Sequence, residues 1–131
     1  MNAPLRIVIA DDSPDTTLTL GMLLEQEGHL VRVLHSGAGV VDSVQEFQPD
    51  VCILDIEMPT ESGYAIAGAL REIYGTLRPL MIAISGKWVR TPDRLLALGC
   101  GFDHFLEKPA DPRELLQILH DMQRRRAEAA A

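Results

Sequence analysis

Short apolar runs and helical patterns alternate five times along this chain. The runs are Leu5–Ala10, Leu30–Leu34, Val51–Leu54, Leu80–Ile84 and the less apolar Gly101–Leu106. The unbroken apolar runs at Val51–Leu54 and Leu80–Ile84 predict strands buried on both faces. Between the runs, apolar residues recur at three- and four-residue spacing, which predicts helices with one inward face. Leu20, Leu23 and Leu24 mark the first, and Val40, Val41, Val44 and Phe47 the second. Ile66, Leu70 and Ile73 are expected inward on the third, and Leu115, Ile118, Leu119 and Met122 on the last. Ser13-Pro14 and Thr91-Pro92 place a capping side chain before a proline already set for the first turn. Asp111-Pro112-Arg113-Glu114 reads as a capping-box-like start, while Gly28, Pro49 and Gly99 read as stops.

Five strand–helix units of this length predict an α/β fold. The sheet should be mostly parallel and doubly wound, with helices on both faces and right-handed crossovers. In such sheets ligands bind beyond the carboxyl ends of the strands, where strand order reverses. Residues 1–123 are expected to form one domain. Residues 124–131, with Arg124, Arg125 and Arg126 followed by an alanine-rich end, are expected to extend the last helix or fray.

Composition narrows the function classes. With 131 residues, 47% of them apolar, the chain has room for one good core. A net charge of -7 argues against a nucleic-acid surface and suits an acidic patch that binds a cation. The three arginines near the end are better read as cations favoured at a helix C-terminus than as a nucleic-acid patch. Cys52 and Cys100 have no metal-ligand spacing, and Cys52 inside an apolar run is expected in the core. His29, His35, His104 and His120 lack ligand spacing too. Gly37-Ala38-Gly39 follows a strand, but Asp42 stands where a dinucleotide fingerprint needs its third glycine. With no stretch long enough to span a membrane and no signal-peptide pattern, a cytoplasmic location without membrane contact is expected.

The candidate chemistry lies at the strand ends. The first run ends in Asp11-Asp12, the third in Asp55, the fourth in Ser85, and the fifth leads to Lys108. If those four strands lie side by side, the residues converge on one pocket. Clustered carboxylates repel one another unless a cation sits among them, and an all-oxygen set suits Mg²⁺, which prefers to share a site with phosphate. Asp55 is then a candidate nucleophile toward phosphorus, with Lys108 and Ser85 stabilising the phosphoryl oxygens.

Asp11-Asp12, Asp55-Ile56-Glu57-Met58-Pro59 with Gly63 downstream, Ser85-Gly86 and Lys108-Pro109 stand in an order and spacing that resemble the receiver domain of bacterial two-component response regulators. The resemblance covers essentially the whole chain. It implies a flavodoxin-like fold with strand order 2-1-3-4-5. It further implies Asp55 as the phosphoacceptor, and Mg²⁺ held by Asp11, Asp12, Asp55 and the backbone carbonyl of Glu57. Lys108 would pair with the phosphoryl group, and its bond to Pro109 would be cis. Ser85 and Phe105 are implied as the switch pair that moves on phosphorylation. The implied donor is a sensor histidine kinase or a histidine phosphotransfer protein. The implied output is a protein partner at the surface of the fourth helix, fifth strand and fifth helix.

The chain departs from the family pattern in places. Phe105 stands where many members have tyrosine, and Ala110 follows Lys108-Pro109 where a bulky apolar residue is common. The chain reads either as a stand-alone regulator or as a receiver from a hybrid kinase. Trp88, just after Ser85, reads equally as a core plug or a partner contact. Glu57 and Lys87 are expected to pair across the pocket mouth and slow hydrolysis of the acyl phosphate. Two rival functions remain. A haloacid dehalogenase-type phosphatase also uses a strand-end Asp and Mg²⁺, but wants a second Asp where Glu57 stands. A pseudo-receiver would bind partners without phosphorylation, yet has no need of a complete acid set. The expected output is a conformation, with no enzymatic product.

Overall fold

The computed structural model describes residues 3–58, 61–86 and 91–130, with the side chains of 91–94 outside that set. Pro59, Lys87, Trp88 and the Thr91-Pro92 side chains therefore lie outside the described residues. Among the described residues ten elements alternate in the predicted order. They are β1 (Arg6–Ala10), α1 (Pro14–Gln26), β2 (Leu30–Leu34), α2 (Val40–Phe47) and β3 (Val51–Asp55). Then follow α3 (Gly63–Tyr74), β4 (Leu80–Ser85), α4 (Thr91–Gly99), β5 (His104–Glu107) and α5 (Pro112–Ala130). The five strands form one parallel sheet in the order β2-β1-β3-β4-β5.

The runs of β1, β3 and β4 are continuous because both faces of the sheet are covered there. Strand β2, at the sheet edge, leaves Leu30 and Val33 exposed. Along β1, Ile7 and Ile9 join Leu20, Leu24, Ile53, Ile82, Ile84, Leu115 and Leu119 in one core. The alternate residues Val8 and Ala10 join Cys52, Leu54, Ile66, Leu70, Met81 and Phe102 in the other. Every residue of β3 is buried, which is what a central strand of a doubly covered sheet requires. Burial also pushes the Cys52 thiol up to about 12, so it is an inert core residue as expected.

Local signals set the boundaries. The Ser13 hydroxyl accepts from the Thr16 amide and Ser62 from the Ala65 amide, so both helices start where their caps predict. Gly28 takes a positive φ of 92° after α1, a conformation that costs glycine little. Two expectations need correction. Ile73 is 48% exposed, because α3 turns Ile66, Ala67 and Leu70 to the core and in its last turn Tyr74, not Ile73, packs against that core. The fifth strand starts at His104 rather than at residue 101, because Gly101 has a φ of 113°, outside the strand region.

The end of the sheet away from the strand carboxyl ends is tied by charged side chains. Arg71 donates to the carbonyls of Gly101 at 2.8 Å and Pro79 at 2.9 Å, and pairs with Asp103 at 2.8 Å. Asp103 in turn accepts from the Met81 amide. Helix α5 continues through the arginine run to Ala130. Arg126 pairs with Asp50 at 2.8 Å, and Arg124 with Asp121 at 2.7 Å. Among the described residues no helix is long and apolar enough to cross a membrane.

Candidate functional site at the carboxyl edge of the sheet

With β1, β3, β4 and β5 adjacent, the strand ends converge as the sequence predicts. Side-chain oxygens of Asp11, Asp12 and Asp55 come within 4.8 Å of one another. Asp11 and Asp55 are buried and Asp12 is exposed, so the cluster opens to solvent at one corner. Register explains the placement. Asp55 lies opposite Ile84, which puts Ser85 one residue beyond on the neighbouring strand, and Ser85 lies opposite Glu107, one residue before Lys108. The Lys108 amide donates to the Ser85 carbonyl at 2.8 Å, which fixes the start of the loop carrying the ammonium. The Lys108-Pro109 peptide is cis, as the resemblance implies; Arg78-Pro79 is also cis, and no sequence signal marked it.

Lys108 Nζ stands 2.7 Å from Asp11 Oδ2 and 3.2 Å from Asp55 Oδ2. Burial opposes its charge, but the two carboxylates outweigh that cost and raise its pKa. For Asp11 the balance is reversed. Burial is the largest influence and raises its pKa, helped by the nearby Asp55 charge, while Lys108 and the Ser13 amide only partly offset this. Asp11 Oδ1 accepts from the Ser13 amide at 2.8 Å. Asp11 Oδ2 is buried, and its close contact is the ion pair with the Lys108 ammonium at 2.7 Å. Two buried carboxylates that share a single ammonium, beside a third carboxylate open to solvent, make an all-oxygen set that fits a hard divalent cation such as Mg²⁺.

Asp55 Oδ1 accepts from the Glu57 amide at 2.9 Å, so the loop after β3 folds back over its own strand end. Gly63 permits this. A Cβ there would lie 2.8 Å from the Asp55 carbonyl oxygen and 2.9 Å from Ile56 Cα, so only glycine lets α3 begin this close. Phe105 on β5 is half-buried opposite Ala83, packed against the core that contains Leu54. Sequence reasoning missed the partner of Glu57. The Ser85 hydroxyl donates to the Glu57 carboxylate, linking the loops after β3 and β4. The Lys87 half of the expected Glu57–Lys87 pair lies outside the described residues. The adjacency of two strand-end polar residues was the one available signal for the Ser85 contact, and it needed the register to be read.

A parallel sheet in the order β2-β1-β3-β4-β5 with an acidic, lysine-paired pocket at its carboxyl edge is a flavodoxin-like α/β domain with a site suited to a cation and a phosphoryl group. The chain matches the response regulator receiver domain family over residues 7–120 and belongs to it. It is a phosphorelay switch domain. It is 34% identical over 118 residues to an uncharacterised 14.6 kDa protein of Leptolyngbya boryana, covering 89% of this chain and 88% of that one. It is 38% identical over 113 residues to the TorCAD operon transcriptional regulatory protein TorR of Escherichia coli, covering 86% of this chain and 47% of TorR. The chain thus spans about half the length of the transcriptional regulatory proteins it matches. The response regulator signal receiver domain from Bermanella marisrubri superposes with a TM-score of 0.77 at 26% identity, covering 88% of this chain and 95% of that one. The phosphatase and pseudo-receiver readings are not favoured by these relatives. Receiver domains act with histidine kinases or phosphotransfer proteins.

Proposed function

We propose that Asp55 accepts a phosphoryl group from a phosphohistidine on a partner protein, and that the acyl phosphate shifts the domain between two conformations. The observation that carries this reading is the Lys108 ammonium bridging Asp11 and Asp55 at 2.7 and 3.2 Å, in a pocket with three convergent carboxylates. In the transfer an Asp55 carboxylate oxygen forms a bond to phosphorus while the phosphorus–nitrogen bond of the donor breaks. The imidazole nitrogen keeps that electron pair. Lys108 pairs with the transferred group, Ser85 donates to a phosphoryl oxygen, and Phe105 repacks with it. Asp11, Asp12, Asp55 and the backbone carbonyl of Glu57 would hold Mg²⁺. When bound, the ion supplies positive charge that offsets the crowded carboxylates and the phosphoryl oxygens.

Two surfaces support the partner assignments. On α1, which starts just after Asp12, Leu18 and Met22 are 63% and 59% exposed, an apolar face that supports docking of a protein donor beside the pocket. On α4, Leu95, Leu96 and Leu98 are all exposed, which favours a protein partner at the α4–β5–α5 surface over nucleic acid. Residues 1–123 act as the receiver, in the cytoplasm, and the domain's output is a conformation and not a product. The test is intact mass after incubation with Mg²⁺ and acetyl phosphate. One phosphoryl adduct is expected on the native chain and none on Asp55→Asn. An equal adduct on both would overturn the assignment.

A further inference from the structure

The Ser85 hydroxyl has one proton to donate, and here it donates it to Glu57. Ser85 is 4% exposed at the end of β4, so its side chain cannot turn to solvent for another acceptor. Glu57 is half-buried on the loop that Asp55 holds through the 2.9 Å bond from the Glu57 amide. The acceptor and the phosphoacceptor are therefore on one short tether, two residues apart, and compete for the same donor.

We infer that the Glu57 carboxylate is a positioning residue that latches the Ser85 hydroxyl in the unphosphorylated state. The inference rests on the roles proposed above for Asp55 and Ser85. A phosphoryl group on Asp55 gains the Ser85 hydrogen bond only after Glu57 gives it up. The exchange is between two charge-assisted bonds to anionic oxygens, so it is closely balanced. Its consequence is a tax on activation, since the apparent affinity for any phosphoryl group falls by the fraction of molecules in which the hydroxyl is unlatched. Glu57 also places a negative charge at the pocket edge. That effect repels an anion whether or not Ser85 has a hydroxyl, so the two contributions are separable.

The test is a double-mutant cycle on binding of beryllofluoride, a phosphoryl mimic, at saturating Mg²⁺, followed by fluorine NMR. Glu57→Ala is expected to tighten binding about tenfold when Ser85 is present, the scale of one hydrogen bond to a charged group. In the Ser85→Ala background the same change is expected to alter affinity less than about twofold. Glu57→Gln keeps an acceptor oxygen without the charge and should fall between native and Ala. Equal tightening in both backgrounds, or none in either, overturns the latch and leaves the phosphoacceptor reading standing. If the native chain takes up no beryllofluoride, or Asp55→Asn takes up as much, the phosphoacceptor reading fails and the latch with it. Melting curves of all variants with Mg²⁺ confirm that each compared species is folded.

Discussion

Lys108→Ala tests how the pocket holds together without a cation. Asp11 is fully buried, and Asp55 is 2% exposed with its side-chain oxygens within 4.8 Å of the cluster. At an effective dielectric of about 20, two unit charges 4.8 Å apart repel by roughly 3.5 kcal/mol before any relaxation. The Lys108 ammonium offsets that repulsion now, at 2.7 and 3.2 Å. Removing one partner of a buried pair usually costs about 3–5 kcal/mol, and the partly exposed lysine and open Asp12 corner place this case nearer 2–4 kcal/mol. The expected loss is therefore about 2–4 kcal/mol in urea unfolding at pH 7.5 without Mg²⁺. Its pH dependence has a definite sign. Asp11 already has a folded pKa above its ordinary 3.8. Without the ammonium it rises further, so the native state binds more protons than the unfolded chain above that value. Stability of the variant then falls as pH rises through the raised pKa and recovers in acid. Mg²⁺ should narrow the gap between variant and native chain. A loss below about 0.5 kcal/mol at pH 7.5, or one indifferent to both pH and Mg²⁺, refutes the account of the pocket as a carboxylate cluster held by Lys108.

The remaining predictions concern the frame around the pocket. Gly63→Ala must push its Cβ off the Asp55 carbonyl and Ile56, so it should cost about 1–3 kcal/mol and slow adduct formation on Asp55 in the mass assay. Arg71→Ala strands the Gly101 and Pro79 carbonyls and the Asp103 carboxylate, and should lower stability by about 2–4 kcal/mol. Because that clamp lies at the far end of the sheet, adduct formation per folded molecule should stay unchanged. Arg71→Lys should recover little, since one ammonium cannot span three acceptors. Buried His29 accepts from the Leu5 amide through Nδ1, and burial lowers its pKa below the ordinary 6.5. The unfolded chain therefore binds a proton that the native state refuses, and stability should decline as pH falls below 6.5, a slope absent in His29→Gln. A native chain whose urea midpoint is flat from pH 7.5 to 5.5 would contradict this.

Much of this protein was legible in its residues alone. The unbroken run ending at Asp55 predicts a central strand because a strand covered on both faces needs no polar alternation. The Ser13-Pro14 start and the Gly28 stop mark α1, because caps and positive-φ glycines act within a few residues. The chemistry was legible for the same reason: Asp11-Asp12, Asp55, Ser85 and Lys108 each sit at the end of a local element. Ile73 differs from expectation because helical spacing says which residues share a face but not which side chain of the last turn, Ile73 or Tyr74, meets the neighbouring layer. What only the tertiary structure decided are contacts between loops far apart in sequence. The Arg71 clamp joins α3 to turns before β4 and β5, and Ser85 meets Glu57 across 28 residues. Neither leaves a periodic trace, because a side chain reaching another loop is set by strand register and by the space that register leaves. Lys108 shows both sides of this. Its position predicted that it enters the pocket, but its balance between Asp11 and Asp55 depends on burial and ångström distances, which exist only once the sheet has assembled.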